Sequence, residues 1–174
     1  MKKHILSVFS LSFTTIISTS FITLAQSNIT NPFTVTGGNS EVNSGKTPSI
    51  QIKEIQQGNS SDPNRQTWIV IHGWNDSPDN TDLRGIANTI ASQKPNDRVL
   101  MLDWSQASHL KFLQLGTPGA VGDTGKAATW ISPVAREVFN KLKEEVSSQN
   151  LNLVGHSLGA LLSSEIARTF KNAI

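Results

Sequence analysis

Leu151-Asn152-Leu153-Val154-Gly155-His156-Ser157-Leu158-Gly159-Ala160-Leu161-Leu162 is the stretch on which the fold turns. Its first four residues form a short apolar-leaning run of strand length. From Leu158 onward, Leu158, Leu161, Leu162, Ile166 and Phe170 recur at spacings of three and four, which predicts a helix. Between the two stands only Gly155-His156-Ser157, so a strand must pass into a helix with almost no loop. A turn that abrupt strains the dihedrals at Ser157 and brings the helix close to the strand. Gly155 and Gly159 have no Cβ to clash in that approach. The Ser157 hydroxyl is thereby lifted above the sheet at the positive end of the helix. A peptide N–H there faces the oxygen that turns negative when the serine adds to a carbonyl. A glycine-bracketed turn with an N-capping serine is the plainer alternative. Strand, both glycines and helix stripe all agree with the nucleophile elbow.

Upstream the same alternation repeats. Trp68-Ile69-Val70-Ile71 and Val99-Leu100-Met101-Leu102 are continuous apolar runs that suit strands buried on both faces. Leu83, Ile86, Ala87, Ile90 and Ala91 mark a helix between them. Val134, Ala135, Val138, Phe139, Leu142 and Val146 mark another, entered at Ser132-Pro133 with the proline at the first helical position. Ile50-Gln51-Ile52-Lys53 alternates like a half-exposed strand. Strands alternating with helices predict an α/β fold with a mostly parallel sheet and flanking helices, with ligands bound beyond the carboxyl ends of the strands. The residues to inspect are therefore His72 to Asn75, Asp103 to Ser108 and Gly155 to Gly159. Gly116 to Gly125 reads as a glycine-rich mobile connection on the ligand side that matches no phosphate motif.

Composition narrows the functions. The chain has 174 residues, with 15 Lys plus Arg against 13 Asp plus Glu. Met1-Lys2-Lys3-His4, the apolar stretch Ile5 to Leu24 and the small residues Thr23 and Ala25 read as a signal peptide over 1–25, cut after Ala25. An uncleaved anchor is the rival reading, weakened by the many hydroxyls. Without Lys2 and Lys3 the mature charge balances, which removes the electrostatic argument for a nucleic-acid partner. The product is expected to be secreted or periplasmic. Residues 26–49, rich in Asn, Ser, Thr and Gly, read as a polar linker or a weak hairpin around Phe33 and Val35. Residues 50–174 form the single domain. With 37% hydrophobic and 16% charged residues, the domain is not expected to be disordered. The absence of Cys excludes disulfides, thiolate metal sites and a Cys nucleophile. No cluster of metal ligands and no cofactor motif is evident.

His72-Gly73-Trp74 ends an early strand, where Gly73 would let the main chain approach the serine. The N–H of Trp74 would then face the site together with that of Leu158. Trp74 as a hydrophobic plug is the alternative, and His72 is expected to hydrogen-bond its own loop. His72-Gly73-Trp74, Leu102-Asp103-Trp104-Ser105 and Val154-Gly155-His156-Ser157-Leu158-Gly159-Ala160, in this order and spacing, resemble the pancreatic-lipase family of the α/β-hydrolase superfamily. The resemblance covers about Trp68 to Phe170. It implies an α/β-hydrolase sheet and a serine hydrolase (lipase or esterase) of carboxylic esters, typically acylglycerols or phospholipids, working with a lipid or small ester substrate and no cofactor or metal. It also implies Ser157 as nucleophile, the N–H groups of Trp74 and Leu158 as oxyanion donors, and Asp103 as a structural strand-end residue. The disulfides and Cys-bounded lid of many members cannot form here.

The partners of the serine are missing. In this superfamily an acid and then a His follow the nucleophile. After Ser157 the sequence holds one acid, Glu165, on the helix, and no His. His4 lies in the leader, His156 within the elbow and His72 in the oxyanion strand. His109 is the remaining candidate, with a solvated-loop role the stronger reading. The domain is therefore expected to be incomplete on its C-terminal side, with Leu151 to Val154 as an exposed edge, as in a truncated or split gene product without activity of its own. The competing reading is a non-catalytic remnant or binding module that keeps the fold without the chemistry. A serine peptidase on the same scaffold would rest on the elbow alone.

Overall fold

The computed structural model describes residues 28–39, 47–109 and 120–173. The expected leader and its cleavage site, with His4, lie outside them. Five strands form one sheet, β1 (Phe33–Thr34), β2 (Ser49–Gln56), β3 (Thr67–Ile71), β4 (Arg98–Asp103) and β5 (Leu151–Gly155), in the spatial order β1-β2-β4-β3-β5. β4, β3 and β5 run parallel, while β2 joins β4 antiparallel and β1 joins β2 antiparallel. The helices are α1 (Thr81–Gln93), α2 (Ser105–Ser108), α3 (Ala120–Ala128), α4 (Ile131–Leu142) and α5 (Leu158–Asn172).

The two-residue period of the strands sorts their side chains onto two cores. Ile50, Ile52, Ile69, Ile71, Leu100 and Leu102 belong to a large cluster with Val134, Val138, Leu142, Leu162 and Ile166 of α4 and α5. Val70, Val99 and Met101 point to the opposite face and meet Leu83 and Ala87 of α1. Such double burial is why β3 and β4 read as unbroken apolar runs. At the far end of the sheet, Arg98 is buried between Glu54 and Glu145, at 2.9 and 2.8 Å. β5 is the outer strand among the described residues, and all five of its residues are half-buried.

Four expectations need correction. The stripe of α1 includes Ile86 and that of α5 includes Leu161, yet these side chains are 41% and 58% exposed. Spacing defines an arc of the helix but not how much of it the neighbours cover. α4 begins at Ile131 with Trp130 as its N-cap, so Pro133 is the third helical residue and not the first. Its missing N–H is still harmless there, since the first four helical N–H groups have no intrahelical acceptor. Within the glycine-rich stretch, Ala120 to Gly125 belong to α3 and not to a loop, while 110–119 lie outside the described residues. Packing of Ala127, which is fully buried, outweighs the poor helix propensity of the glycines. Finally, β2 runs to Gln56, well past Lys53, because it pairs along the length of β4.

The segment 28–39 contributes β1, whose Phe33 and Thr34 face Ile50 and Ser49. Val35 next to it is fully buried and donates to the Pro48 carbonyl at 3.0 Å.

Adjacent strands β3 and β5 send their following helices, α1 and α5, to opposite faces of the sheet. That divergence sets their carboxyl ends side by side, His72-Gly73-Trp74 next to Gly155 to Leu158, at the kind of switch point where open α/β sheets bind ligands.

Candidate active site

Ser157 sits between β5 and α5 with φ 53° and ψ −123°, one of two non-glycine residues with positive φ among the described residues. For an L-residue this is a strained conformation, and strain of this kind costs of order 1–3 kcal/mol unless its surroundings impose it. Here both flanking glycines do so. A Cβ at Gly159 would stand 2.6 Å from the Ile71 carbonyl oxygen and closer still to that of His72, so α5 rests directly on the end of β3. A Cβ at Gly155 would collide with the Gly159 carbonyl and with Ser163 Oγ, which itself donates to the Gly159 carbonyl at 2.8 Å. His156 N–H donates to the Ile71 carbonyl at 3.1 Å and ties the elbow to the neighbouring strand. Both His156 and Ser157 are exposed.

Gly73 meets the elbow from the other side. A Cβ placed on it would lie 3.1 Å from Ser157 Cβ and from the His156 carbonyl oxygen. Trp74 packs against the core cluster that contains Leu158, so the two residues share one side of the sheet. Neither the Trp74 nor the Leu158 main-chain N–H has an acceptor among the described residues. The indole Nε1 of Trp74 is buried and also lacks an acceptor among them. Trp74 therefore combines a packed ring with a main-chain N–H that has no acceptor among the described residues, one position after the glycine that meets the elbow.

His72 is buried and committed to its loop. Its Nε2 accepts from the Trp104 N–H at 3.2 Å, which leaves the proton on Nδ1, and Nδ1 donates to the Gly73 carbonyl at 2.9 Å. Trp104 Nε1 in turn donates to the His72 carbonyl at 2.9 Å. Trp104 is the residue whose role the sequence left unread; a buried aromatic after a strand carries no pattern that names its partner 32 positions earlier.

Asp103 closes β4 and accepts from Ser105 Oγ at 2.7 Å and from the Ser105 N–H at 3.1 Å, with Lys53 Nζ at 3.5 Å. Burial works against its charge, but the Ser105 hydroxyl and N–H and the Lys53 ammonium outweigh burial and hold the carboxyl well below the usual range, while His72 Nε2, 3.8 Å away and accepting from Trp104, has no proton to give it. It is a charged anchor at the strand end. His109 Nδ1 bonds the Ser105 carbonyl at 2.9 Å, closing α2. Glu165, on α5, pairs with Arg168 at 2.6 Å and accepts from Ser132 Oγ at 2.9 Å. None of these groups hydrogen-bonds Ser157 among the described residues. A cavity of about 270 Å³ beside the elbow is lined by His156, Val154, Leu83, Ile86, Asp76 and Asp82, among others. No three His, Asp or Glu side chains gather as a metal site among the described residues, and no described helix is long and apolar enough to cross a membrane.

A family model described as Lipase matches residues 14–174. Among curated relatives, phospholipase A1 of Vespa velutina is 28% identical over 132 residues, 70% of this chain and 42% of that protein. Phospholipase A1 of Polybia paulista is 29% identical over 100 residues, 55% of this chain and 30% of that protein. Phospholipase A1 of Vespula vulgaris is 28% identical over 102 residues, 55% of this chain and 29% of that protein. The chain thus spans less than half the length of these relatives.

Proposed function

The chain belongs to the lipase family, of the pancreatic-lipase type, and on that footing we propose that residues 50–174 form part of an α/β-hydrolase domain that cleaves carboxylic esters of lipids through Ser157. Ser157 Oγ is the nucleophile, and the N–H groups of Trp74 and Leu158 receive the negative oxygen of the tetrahedral intermediate. Gly155, His156 and Gly159 shape the elbow. The observation that carries this reading is the strained Ser157, held between two glycines that admit no side chain, with Leu158 next in the chain and Trp74 next to the Gly73 that meets the elbow, both N–H groups without an acceptor among the described residues. The similarity to phospholipases A1 favours a phospholipid as the ester. Residues 1–25 serve as an export signal, so the product works outside the cytoplasm, where a lipid surface is within reach.

Among the described residues no side chain is placed as a general base to Ser157. His72 and His109 spend a ring nitrogen on loop carbonyls. That favours, for these 174 residues alone, a site that is assembled but idle, close to the non-catalytic reading. Imidazole in solution can stand in for the missing base. With a chromogenic short-chain ester, the unsubstituted chain and Ser157→Ala are expected to match in plain buffer. In imidazole, the unsubstituted chain is expected to exceed Ser157→Ala at equal concentration. Equal rates under both conditions would remove the hydrolase reading in favour of the binding module. A large Ser157-dependent rate without imidazole would mean that a base is present after all.

A further inference from the structure

Gly73 is the hinge on which the Trp74 N–H depends, and glycine is the residue least able to hold a direction by itself. Two side chains clamp it. The peptide plane before Gly73 is held by Trp104 Nε1–H on the His72 carbonyl at 2.9 Å. The plane after Gly73 is held by His72 Nδ1–H on the Gly73 carbonyl, also at 2.9 Å. That second plane contains the Trp74 N–H. In a planar trans peptide the C=O and N–H point in opposite directions, so fixing the carbonyl toward the imidazole directs the N–H away from it. A neutral imidazole can donate from Nδ1 only while Nε2 is bare; the Trp104 main-chain N–H, 3.2 Å from Nε2, selects that tautomer, and Asp103 Oδ1, 3.8 Å from Nε2, is too far to draw a proton onto it by a hydrogen bond. His72 and Trp104 are buried, with ring centroids 5.9 Å apart, so the clamp is shielded from water.

We infer that His72 and Trp104 are positioning residues that orient the Trp74 N–H toward Ser157, so that the oxyanion donor is set before substrate arrives. The catalytic consequence rests on the hydrolase reading above; the geometric one does not. Preorganisation is what makes such donors effective, and losing one costs roughly 100- to 1,000-fold in kcat, so a donor that is misdirected but present should cost roughly 10- to 100-fold.

The test uses the full chain, its Trp104→Phe, His72→Leu and His72→Asn variants, and two readouts. Trp104→Phe keeps the ring and the main-chain N–H but loses the indole donor. His72→Asn keeps a donor close to the position of Nδ1. By amide NMR, Trp104→Phe and His72→Leu are expected to shift the Trp74 resonance, and His72→Asn to return it toward its original position. In the imidazole-supported assay, the first two should lower the Ser157-dependent kcat by that factor with KM unchanged, and His72→Asn should recover most of it. Nitrogen NMR of the unsubstituted chain should find the His72 proton on Nδ1, a measurement that stands even where a variant fails to fold. A proton on Nε2 with Nδ1 bare, or a Trp74 amide unmoved in folded Trp104→Phe and His72→Leu, overturns the inference. Should no Ser157-dependent rate exist at all, the hydrolase reading falls, and the NMR measurements alone decide the positioning.

Discussion

Replacing Gly159 by Ala tests the contact that shapes the elbow. In an open helix the change from Gly to Ala stabilises by roughly 0.4–1 kcal/mol, because the unfolded chain loses freedom. At Gly159 the new methyl would stand 2.6 Å from the Ile71 carbonyl oxygen and closer to that of His72, where ordinary contact begins at 3.4 Å. Both obstacles are main chain, so α5 must retreat from β3 by about 0.8 Å or more, and overpacking of this kind costs about 1–3 kcal/mol. For a domain of this size that lowers Tm by about 2–12 °C. Gly85, inside α1, provides the control, since a Cβ there would meet nothing within 4 Å. Gly85→Ala should instead raise stability by the roughly 0.4–1 kcal/mol of the open-helix case. Urea unfolding followed by tryptophan fluorescence reads both. The same substitution is expected to have opposite signs in two helices. A Gly159→Ala protein as stable as the unsubstituted chain would refute the claim that α5 lies against β3 through a bare Cα.

Two further outcomes follow from the same geometry. Ser157→Gly should exceed Ser157→Ala in stability by roughly 1 kcal/mol in urea melts, because glycine relieves the positive φ while alanine retains it; equal midpoints would mean that the turn carries no strain. Hydrogen bonding to Arg168, and then to Ser132, lowers Glu165 from 4.5 to about 2. Its folded-state pKa lies below the unfolded value, so its contribution is complete above pH 4.5 and is lost as the pH falls toward 2. Glu165→Gln should therefore lower the urea midpoint slightly at pH 6, the pair being solvent-screened, and leave it nearly unchanged at pH 2; a difference that grows on acidification would contradict the assignment.

The parts of the fold that could be read in advance are those set by local pattern. The apolar runs at Ile69 to Ile71 and Val99 to Leu102 announce burial on two faces because neighbouring side chains leave a strand on opposite sides. The spacing in α5 announces a helix. What stripes cannot express is coverage: Ile86 and Leu161 fit their periodicities yet stand exposed, since the neighbours cover only part of each arc. α3 was illegible for the converse reason, its glycines arguing for a loop while the burial of Ala127 holds a helix. At the site, Ser157 and its glycines were legible because a sharp turn imposes its own residue requirements within five positions.

The chain order of residues by itself determined that a strand meets a helix at Ser157 and that no side chain is admitted at Gly155 or Gly159. These are short-range matters of steric fit and composition. Tertiary structure decided that β3 lies between β4 and β5, that Gly73 reaches the serine from the neighbouring strand, and that Trp104 clamps His72 from 32 residues away. Such contacts arise only when separate segments share one core, because hydrogen bonds across strand ends depend on register and distance in space, which no local pattern encodes.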